Sequence, residues 1–392
     1  MTTILVTACE PSGDALGAAL MASIKASRPG VRFIGGGGPL MKAEGLENAL
    51  PTDKLAVMGP GDAVVALPRA KGLSARLGRL AAREKPEVAV LIDSWAFSKM
   101  AGAEIKKRAP ETKLAKLAVP QVWASRPQRA AVAADMFDLL MCLLPFEPPY
   151  FEKHGGHAVF VGNPNFQRVA RTPRSGPGFR ARYGIGDSPL LLALPGSRNG
   201  EVKRLLPVFE ETVTEAAKKI PGLKVAIIVA DAVKKQVQHA TGSWKQDLIV
   251  VSPDERFDAF DAGDVALAAS GTVTTELALT STPMVVTYKV GSFTAYWARK
   301  VITTPYVTVL NVAAGEEVIP ERLQDDCTST QLCADVVRLF NDHEARRKQM
   351  SAFRRLLPGL VGSQSAADAA AAEVLKLVDR DDRSDLDGSA AG

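Results

Sequence analysis

Short, almost unbroken apolar runs alternate with stretches of helical periodicity along most of the chain. Thr3–Ala8 reads as a strand, followed by the turn Glu10-Pro11-Ser12-Gly13-Asp14 and an Ala/Leu-rich helix from Ala15 to Lys25. Val31–Gly35 reads as a second strand and Val88–Ile92 (VAVLI) as a third. A continuous apolar run of that length fits a strand covered on both faces, as the strands of parallel sheets are. Lys116–Val119, Leu139–Leu143 and Ala158–Val161 extend the series. Strands separated by helical patterns imply parallel βαβ units.

The alternation breaks at Arg171–Gly178 (RTPRSGPG), which is rich in Pro, Gly and Arg, lacks any period and reads as an interdomain linker. It restarts with strands at Leu190–Ala193, Val225–Val229, Leu248–Val251, Val265–Ala268 and Met284–Tyr288. Beyond Thr330 the pattern is helical, and the alanine-rich run Ala366–Ala372 is a strong helix former. Asp379–Gly392, charged and rich in small residues, reads as a disordered tail. The expected organisation is therefore one Rossmann-like domain over 1–170, a second over 179–330, helices over 331–378 and a tail over 379–392. The fold class is α/β, with the two domains facing a cleft. In such sheets ligands bind beyond the carboxyl ends of the strands.

A length of 392 residues agrees with two cores rather than one. Hydrophobic residues at 46% and charged residues at 23% exclude a disordered chain. The net charge of +5 is too mild for a nucleic-acid binder, yet it leaves room for anionic lipid or a diphosphate. Cys9, Cys142, Cys327 and Cys333 form no CxxC pair, and His154, His157, His239 and His343 are scattered. No metal site is expected from them, and the cysteines read as free thiols of a reducing cytosol. The N-terminal segment lacks the basic region of a secretory signal, and no apolar run approaches the roughly 20 residues that span a bilayer.

Two strand–loop–helix junctions in the second half carry the strongest chemical signal. Leu194-Pro195-Gly196-Ser197-Arg198 follows a strand and leads into a helix; small residues let backbone N–H groups approach a ligand, and Arg198 offers a fork suited to phosphate. Ser270-Gly271-Thr272 repeats the arrangement after Val265–Ala268, with Glu276 one helical turn further on, where a carboxylate can accept from both ribose hydroxyls. The alternative makes the first an ordinary turn and Glu276 a partner of the helix dipole. Two such loops in one domain favour a nucleotide site.

In the first half, Ser12, Gly13 and Asp14 hold an acceptor or merely start a helix. Asp93 ends the VAVLI strand, either as a general base facing the ligand or as the N-cap of the next helix. Trp123, with Arg126 and Arg129 close behind, suits a sugar or a phosphorylated substrate, or else ordinary packing. Leu55–Arg83 mixes Val57, Met58, Val64, Val65, Leu67, Leu73, Leu77 and Leu80 with Arg69, Lys71, Arg76, Arg79 and Arg83. It reads as an interfacial segment with its cations toward anionic headgroups, or as a surface helix.

Taken together these stretches resemble the lipid-A-disaccharide synthase family, inverting glycosyltransferases of the two-Rossmann (GT-B) architecture. The resemblance runs from Ile4 to Val378 through EPSGD (Glu10–Asp14), GGPLMKAEG (Gly37–Gly45), LAVMG (Leu55–Gly59), VLID (Val90–Asp93) and PQVWA (Pro120–Ala124). It continues through LPFE (Leu144–Glu147), LPGSR (Leu194–Arg198), ASGTVTTE (Ala269–Glu276), PMVVTYK (Pro283–Lys289) and IPERLQ (Ile319–Gln324). It implies transfer of 2,3-diacylglucosamine from its UDP conjugate to 2,3-diacylglucosamine 1-phosphate, with release of UDP, no cofactor and no metal. The expected place is the cytoplasmic face of the inner membrane, as a peripheral protein on the lipid surface. By position, Asp93 becomes the base. Ser197, Arg198, Ser270, Gly271 and Thr272 hold the diphosphate, Glu276 the ribose, and Asn311, Glu321 and Gln324 a further nucleotide-side loop. Ser12, Gly13 and Asp14 line the acceptor side, and Trp123 and Arg126 the cleft. The terminal helices of the family can cross back to the first domain and join a homodimer.

The chain departs from the family pattern mainly on the acceptor side. Asp-x-Pro-Asp-Phe becomes Asp93-Ser94-Trp95-Ala96-Phe97, Cys9 replaces a glycine, Gly-His-Pro becomes Gly162-Asn163-Pro164, and Ser125 precedes Arg126 in place of tryptophan. Besides the lipid A disaccharide step, these changes keep three readings open: a UDP-sugar enzyme with another acceptor, a UDP-sugar 2-epimerase, and a non-catalytic nucleotide-sugar-binding partner.

Overall fold

The computed structural model describes residues 2–55, 60–291 and 302–388, the side chains of 53–54, 60–66 and 380–388 excepted. The chain divides into two units, 1–164 with 360–392, and 165–359.

The first unit is built on a seven-stranded parallel sheet: β1 (Thr3–Thr7), β2 (Arg32–Gly36), β3 (Glu47–Leu50), β4 (Val88–Ile92), β5 (Lys113–Leu117), β6 (Leu139–Cys142) and β7 (Ala158–Phe160). The strand order is β3-β2-β1-β4-β5-β6-β7, with β1 paired to β4 through Ile4↔Val88 to Thr7↔Leu91. Strands β1 and β4 are buried along their whole length, as their apolar runs require. Side chains alternate between two cores. Ile4, Val6, Val88 and Val90 face Leu20 and Ile24 of the helix Pro11–Ser27, while Leu5, Ala89 and Leu91 face Leu73, Leu77, Ala101 and Ile105 on the other side. Each fully buried Leu or Ile in these layers contributes about 1.5–3 kcal/mol of transfer free energy.

The second unit repeats the plan with six parallel strands: β8 (Leu190–Leu194), β9 (Lys224–Ile228), β10 (Leu248–Val251), β11 (Val265–Ala269), β12 (Met284–Tyr288) and β13 (Glu321–Leu323), in the order β10-β9-β8-β11-β12-β13. In both sheets the order reverses beside the first strand, between β1 and β4 and between β8 and β11. That reversal is the topological switch point, where ligands of such folds bind.

Several expectations need correction. The boundary falls at Pro164/Asn165, and Arg171–Gly178 is no free linker. Ser175 caps the helix Gly176–Arg182 through Gly178, and the Gly176 and Arg180 backbone and side chain are fastened to Asp261 and Asp264 of the second unit. Of the terminal helices, residues from 360 on cross back to the first unit, as the resemblance implies, and Ala370, Ala371, Val374 and Val378 of the helix Ala366–Gly388 complete its core, whereas 331–359 stay with the second unit. Residues 379–388, expected as disordered tail, continue that helix, and Asp379 pairs with Arg28.

The stretch 55–83 also differs from a purely interfacial segment. Leu55, Leu73, Leu77 and Leu80 are buried in the core, and Leu67 is exposed. Arg76, Arg79 and Arg83 form the exposed side of the helix Pro60–Glu84. Val57 and Met58 lie outside the described residues, as do the side chains of Val64 and Val65.

Candidate functional site

Asp93 stands at the switch point of the first sheet, one residue beyond β4, with φ +53°. A left-handed backbone at a non-glycine residue costs on the order of 1–3 kcal/mol and persists only where surrounding contacts impose it. Here they do. The Asp93 N–H donates to Leu117 O at 3.3 Å, while its carbonyl accepts from Lys116 Nζ at 2.6 Å and Ser98 Oγ at 3.1 Å. The carboxylate turns away from its own helix, whose N-cap Ser94 provides no side-chain cap, and instead accepts from Glu10 N at 3.0 Å and Cys9 N at 3.2 Å in the loop after β1. Burial pushes the Asp93 carboxyl up to about 6, against the lowering effects of the Glu10 and Cys9 N–H groups and of Lys116. Asp93 is thus half-buried, held by main-chain donors and ready to accept a proton near neutral pH, the combination general base chemistry asks for.

The other residues expected on the acceptor side separate into different roles. Gly13 is buried directly beneath Asp93. Ser12 is exposed in the first turn of the helix Pro11–Ser27. Asp14 is withdrawn from any ligand: its buried carboxylate accepts from Gly38 N at 2.9 Å, Leu40 N at 2.9 Å and Met41 N at 3.1 Å, tying down the GGPLM loop. Trp123, expected to line the site, is buried in the core, with its indole N–H on Glu147 Oε1 at 3.1 Å and its ring edge-on to Phe146. Glu147 also accepts from Leu143 N and Leu144 N, and burial raises its carboxyl to about 7. Arg126 is exposed with φ +54°, close enough to Arg129 to lower that guanidinium's pKa after burial has done so.

In the second unit the two glycine-containing loops come together as expected. A pocket of about 260 Å³ opens at the carboxyl ends of β8 and β11, lined by Gly196, Ser197 and Glu201 on one side and Ser270–Val273 and Glu276 on the other. Its far end is made by Ile228–Ala230 at the end of β9 and by Pro253, Arg256 and Phe260. Glu276 faces this pocket, pairs with Arg256 Nε at 3.6 Å, and is held above the usual carboxylate range by burial, against Arg256 and Arg168. Among the described residues, the N–H groups of Gly271 and Thr272 find no protein acceptor and remain open to an anion. The first loop is already occupied. Glu201 Oε2 accepts from Ser197 N and Arg198 N, both at 3.3 Å, and Arg198 Nη1 reaches Glu201 Oε1 at 3.0 Å.

Arg198, exposed on Glu201, is not among the residues that line this pocket, and neither are Asn311, Glu321 and Gln324. Asn311 is fully buried and spends its amide on Ile319 O and Glu321 Oε1, both at 2.8 Å, and on the N–H groups of Val318 and Ile319. Glu321 accepts in addition from Val307 N, Thr308 N and Thr308 Oγ1. These two residues hold the 307–321 loop together, and Gln324 Oε1 accepts from Val290 N at 3.3 Å.

Sequence reading passed over Glu201, Arg256, Glu147 and Lys116. Glu201 had a usable signal, a carboxylate three residues after the loop arginine at a helix start. Lys116 had another, a charge inside an apolar strand. Among the described residues no cluster of three or more His, Cys, Asp or Glu side chains is arranged to hold a metal ion, and the four cysteines are free and buried.

Comparison with known proteins agrees with this geometry. Residues 4–375 match the family described as Lipid-A-disaccharide synthetase. The lipid-A-disaccharide synthase of Paramagnetospirillum magneticum is 39% identical over 383 residues, covering 96% of this chain and 97% of that protein. The enzyme of the same name from Ruegeria pomeroyi is 37% identical, covering 93% and 94%. Among solved structures, UDP-GlcNAc 2-epimerase from Neisseria meningitidis bound to UDP-GlcNAc has a TM-score of 0.60 at 11% identity, covering 96% of this chain and all of that one. A glycosyltransferase from Rickettsia africae has a TM-score of 0.56 at 11% identity, covering 97% and 98%. At that identity the two structures speak for the fold alone. The full-length relatives and the family match go further: this chain belongs to the lipid-A-disaccharide synthase family, glycosyltransferases with two Rossmann-like units.

Proposed function

We propose that the chain transfers 2,3-diacylglucosamine from its UDP conjugate to the 6-hydroxyl of 2,3-diacylglucosamine 1-phosphate, with inversion, and that Asp93 is the base. The observation that carries the reading is the placement of Asp93: a half-buried carboxylate at a topological switch point, fixed by Cys9 N and Glu10 N, with its proton affinity raised by burial. In the reaction the acceptor oxygen forms a bond to the anomeric carbon of the donor and its proton passes to an Asp93 oxygen. The bond from the anomeric carbon to the diphosphate oxygen breaks, and UDP leaves with the electron pair. The pocket of the second unit suits the leaving group. Open N–H groups at Gly271 and Thr272 and the guanidinium of Arg198 meet the diphosphate, while Glu276 suits the ribose.

Replacing Asp93 by Asn keeps the shape and removes proton acceptance. Turnover, followed as UDP release together with disaccharide from the acylated donor and acceptor, is expected to fall by about 10²–10⁴-fold while UDP affinity stays as it was. Wild-type turnover in Asp93→Asn would remove Asp93 from the chemistry. A wild type that binds UDP and forms no disaccharide would point to another acceptor.

Acylated substrates also require access to a lipid surface. No helix among the described residues is long and apolar enough to cross a membrane. The exposed Arg76, Arg79 and Arg83, with exposed Leu67 on the same helix, suit an approach to anionic headgroups. Changing the three arginines to glutamate is expected to abolish salt-sensitive binding to phosphatidylglycerol vesicles, and a wild type that ignores such vesicles would overturn this contact.

A further inference from the structure

Lys116 interrupts an otherwise apolar run in β5, and its side chain is completely buried. An ammonium withdrawn from water is costly unless every N–H finds an acceptor. Here all three do. Nζ donates to Asp93 O at 2.6 Å, Leu117 O at 3.0 Å and Leu91 O at 3.3 Å. These carbonyls sit at the carboxyl ends of β4 and β5, where the chain leaves the sheet through two left-handed residues, Asp93 at φ +53° and Ala118 at φ +60°. A neutral apolar residue at 116 would pack the strand at least as well, so packing alone gives no reason for a lysine.

We propose that Lys116 is a positioning residue for the transfer reaction: by binding the Asp93 carbonyl it fixes the left-handed turn that aims the Asp93 carboxylate at the loop after β1, and its charge keeps that carboxylate ionised. The inference rests on Asp93 being the base. The electrostatics run in the same direction. Burial pushes the Lys116 ammonium down and the Asp93 carboxyl up, and each charge acts on the other to favour its ionised form. The titratable groups facing Asp93 are Cys9 and Glu10 from the loop after β1 and Lys116 from β5. Cys9 is pushed far above its ordinary range by burial and stays a neutral thiol, and Glu10 contributes a like charge that opposes ionisation of Asp93. Lys116 is therefore the cation of the group.

Two variants separate the geometric and the electrostatic part. Lys116→Met removes the donors and the charge; Lys116→Gln removes the charge and keeps two donors. In Lys116→Met kcat is expected to fall about 10²-fold, the scale of a small misplacement of a reacting group, with KM for the UDP donor and calorimetric UDP affinity unchanged. In Lys116→Gln part of kcat returns, yet the acid limb of the kcat profile moves up by about one pH unit, because the cation that lowers the Asp93 carboxyl is gone. A buried lysine serving only to hold the fold would lower the melting temperature and leave that limb in place. Asp93→Asn, measured alongside, tells the two readings apart. If it is fully active, the assignment of the base fails. If it is inactive while Lys116→Gln shows wild-type kcat and an unmoved limb, the inference about Lys116 fails by itself. Should neither Lys116 variant fold, Lys116 is a stability residue and the inference is overturned as well.

Discussion

Asp93 and Gly13 approach each other so closely that a β-carbon at position 13 would stand 1.8 Å from Asp93 Oδ2 and 2.7 Å from its Cγ. No side chain fits between the first turn of the helix Pro11–Ser27 and the end of β4, so the glycine of the EPSGD turn serves the carboxylate and not a bend in the backbone. Gly13→Ala must displace either the helix or the Asp93 side chain. Because the helix is anchored in the core through Leu20, Met21 and Ile24, the Asp93 side chain is expected to give way. The expected outcome is a loss of turnover approaching that of Asp93→Asn, about 10²-fold or more, with UDP affinity intact, since the pocket proposed for UDP belongs to the other unit. Measuring kcat and UDP binding on the same preparation checks it; an active Gly13→Ala enzyme would mean that the Asp93 carboxylate need not be held where it is.

The pH dependence follows from the same residue. A base must be ionised, and the Asp93 carboxyl titrates at about 6, so kcat is expected to drop about tenfold for each pH unit below 6. The effect on stability has the opposite sign. The folded-state value lies above the unfolded one, so the folded protein holds the proton more tightly. The stabilisation from this group is complete below about pH 4, the ordinary Asp value, and is lost as the pH rises through about 6. At neutral pH Asp93→Asn is therefore expected to melt at a higher temperature than the wild type while turning over more slowly. Equal melting temperatures across the pH range would show that burial does not perturb this carboxyl.

How much of this was visible beforehand depended on the physics of each segment. VAVLI could be read as a strand to the residue, because a parallel strand covered on both faces must be apolar throughout. The edge strands β3 (ENAL) and β13 (ERL) could not, because an edge strand has one open side and tolerates charge. RTPRSGPG carries every mark of a linker, yet Ser175 caps a helix there and Asp258 and Asp261, some 80 residues away, accept from its backbone. The two loops that line the pocket of the second unit were legible because their signature is local: small residues, a strand before and a helix after. Asp14, Asn311 and Glu321 looked equally polar and equally available, and only the fold reveals that backbone donors from distant or looping segments use them up. Lys116 was the reverse case, a visible anomaly whose three acceptors could be found only once β4 and β5 lay side by side.

The last prediction concerns the cost of freeing Arg198. Its guanidinium rests on Glu201 at 3.0 Å, but the Arg198 side chain is 78% exposed, and an exposed pair of this kind is worth only about 0.2–1 kcal/mol. A hydrogen bond from the same guanidinium to a charged phosphate contributes about 1.5–3 kcal/mol. The second term exceeds the first, so UDP is expected to draw Arg198 away from Glu201 rather than be repelled by the pair. Arg198→Ala should then weaken UDP binding by about 1.5–3 kcal/mol and flatten its salt dependence. Glu201→Gln should change the affinity by less than about 1 kcal/mol, because the loop keeps an acceptor for Ser197 N and Arg198 N while losing only the weak pair. Calorimetry at two salt concentrations decides between the outcomes. If Arg198→Ala binds UDP as the wild type does, the diphosphate is held by the Gly271 and Thr272 loop alone, and Arg198 belongs to the helix start it caps with Glu201.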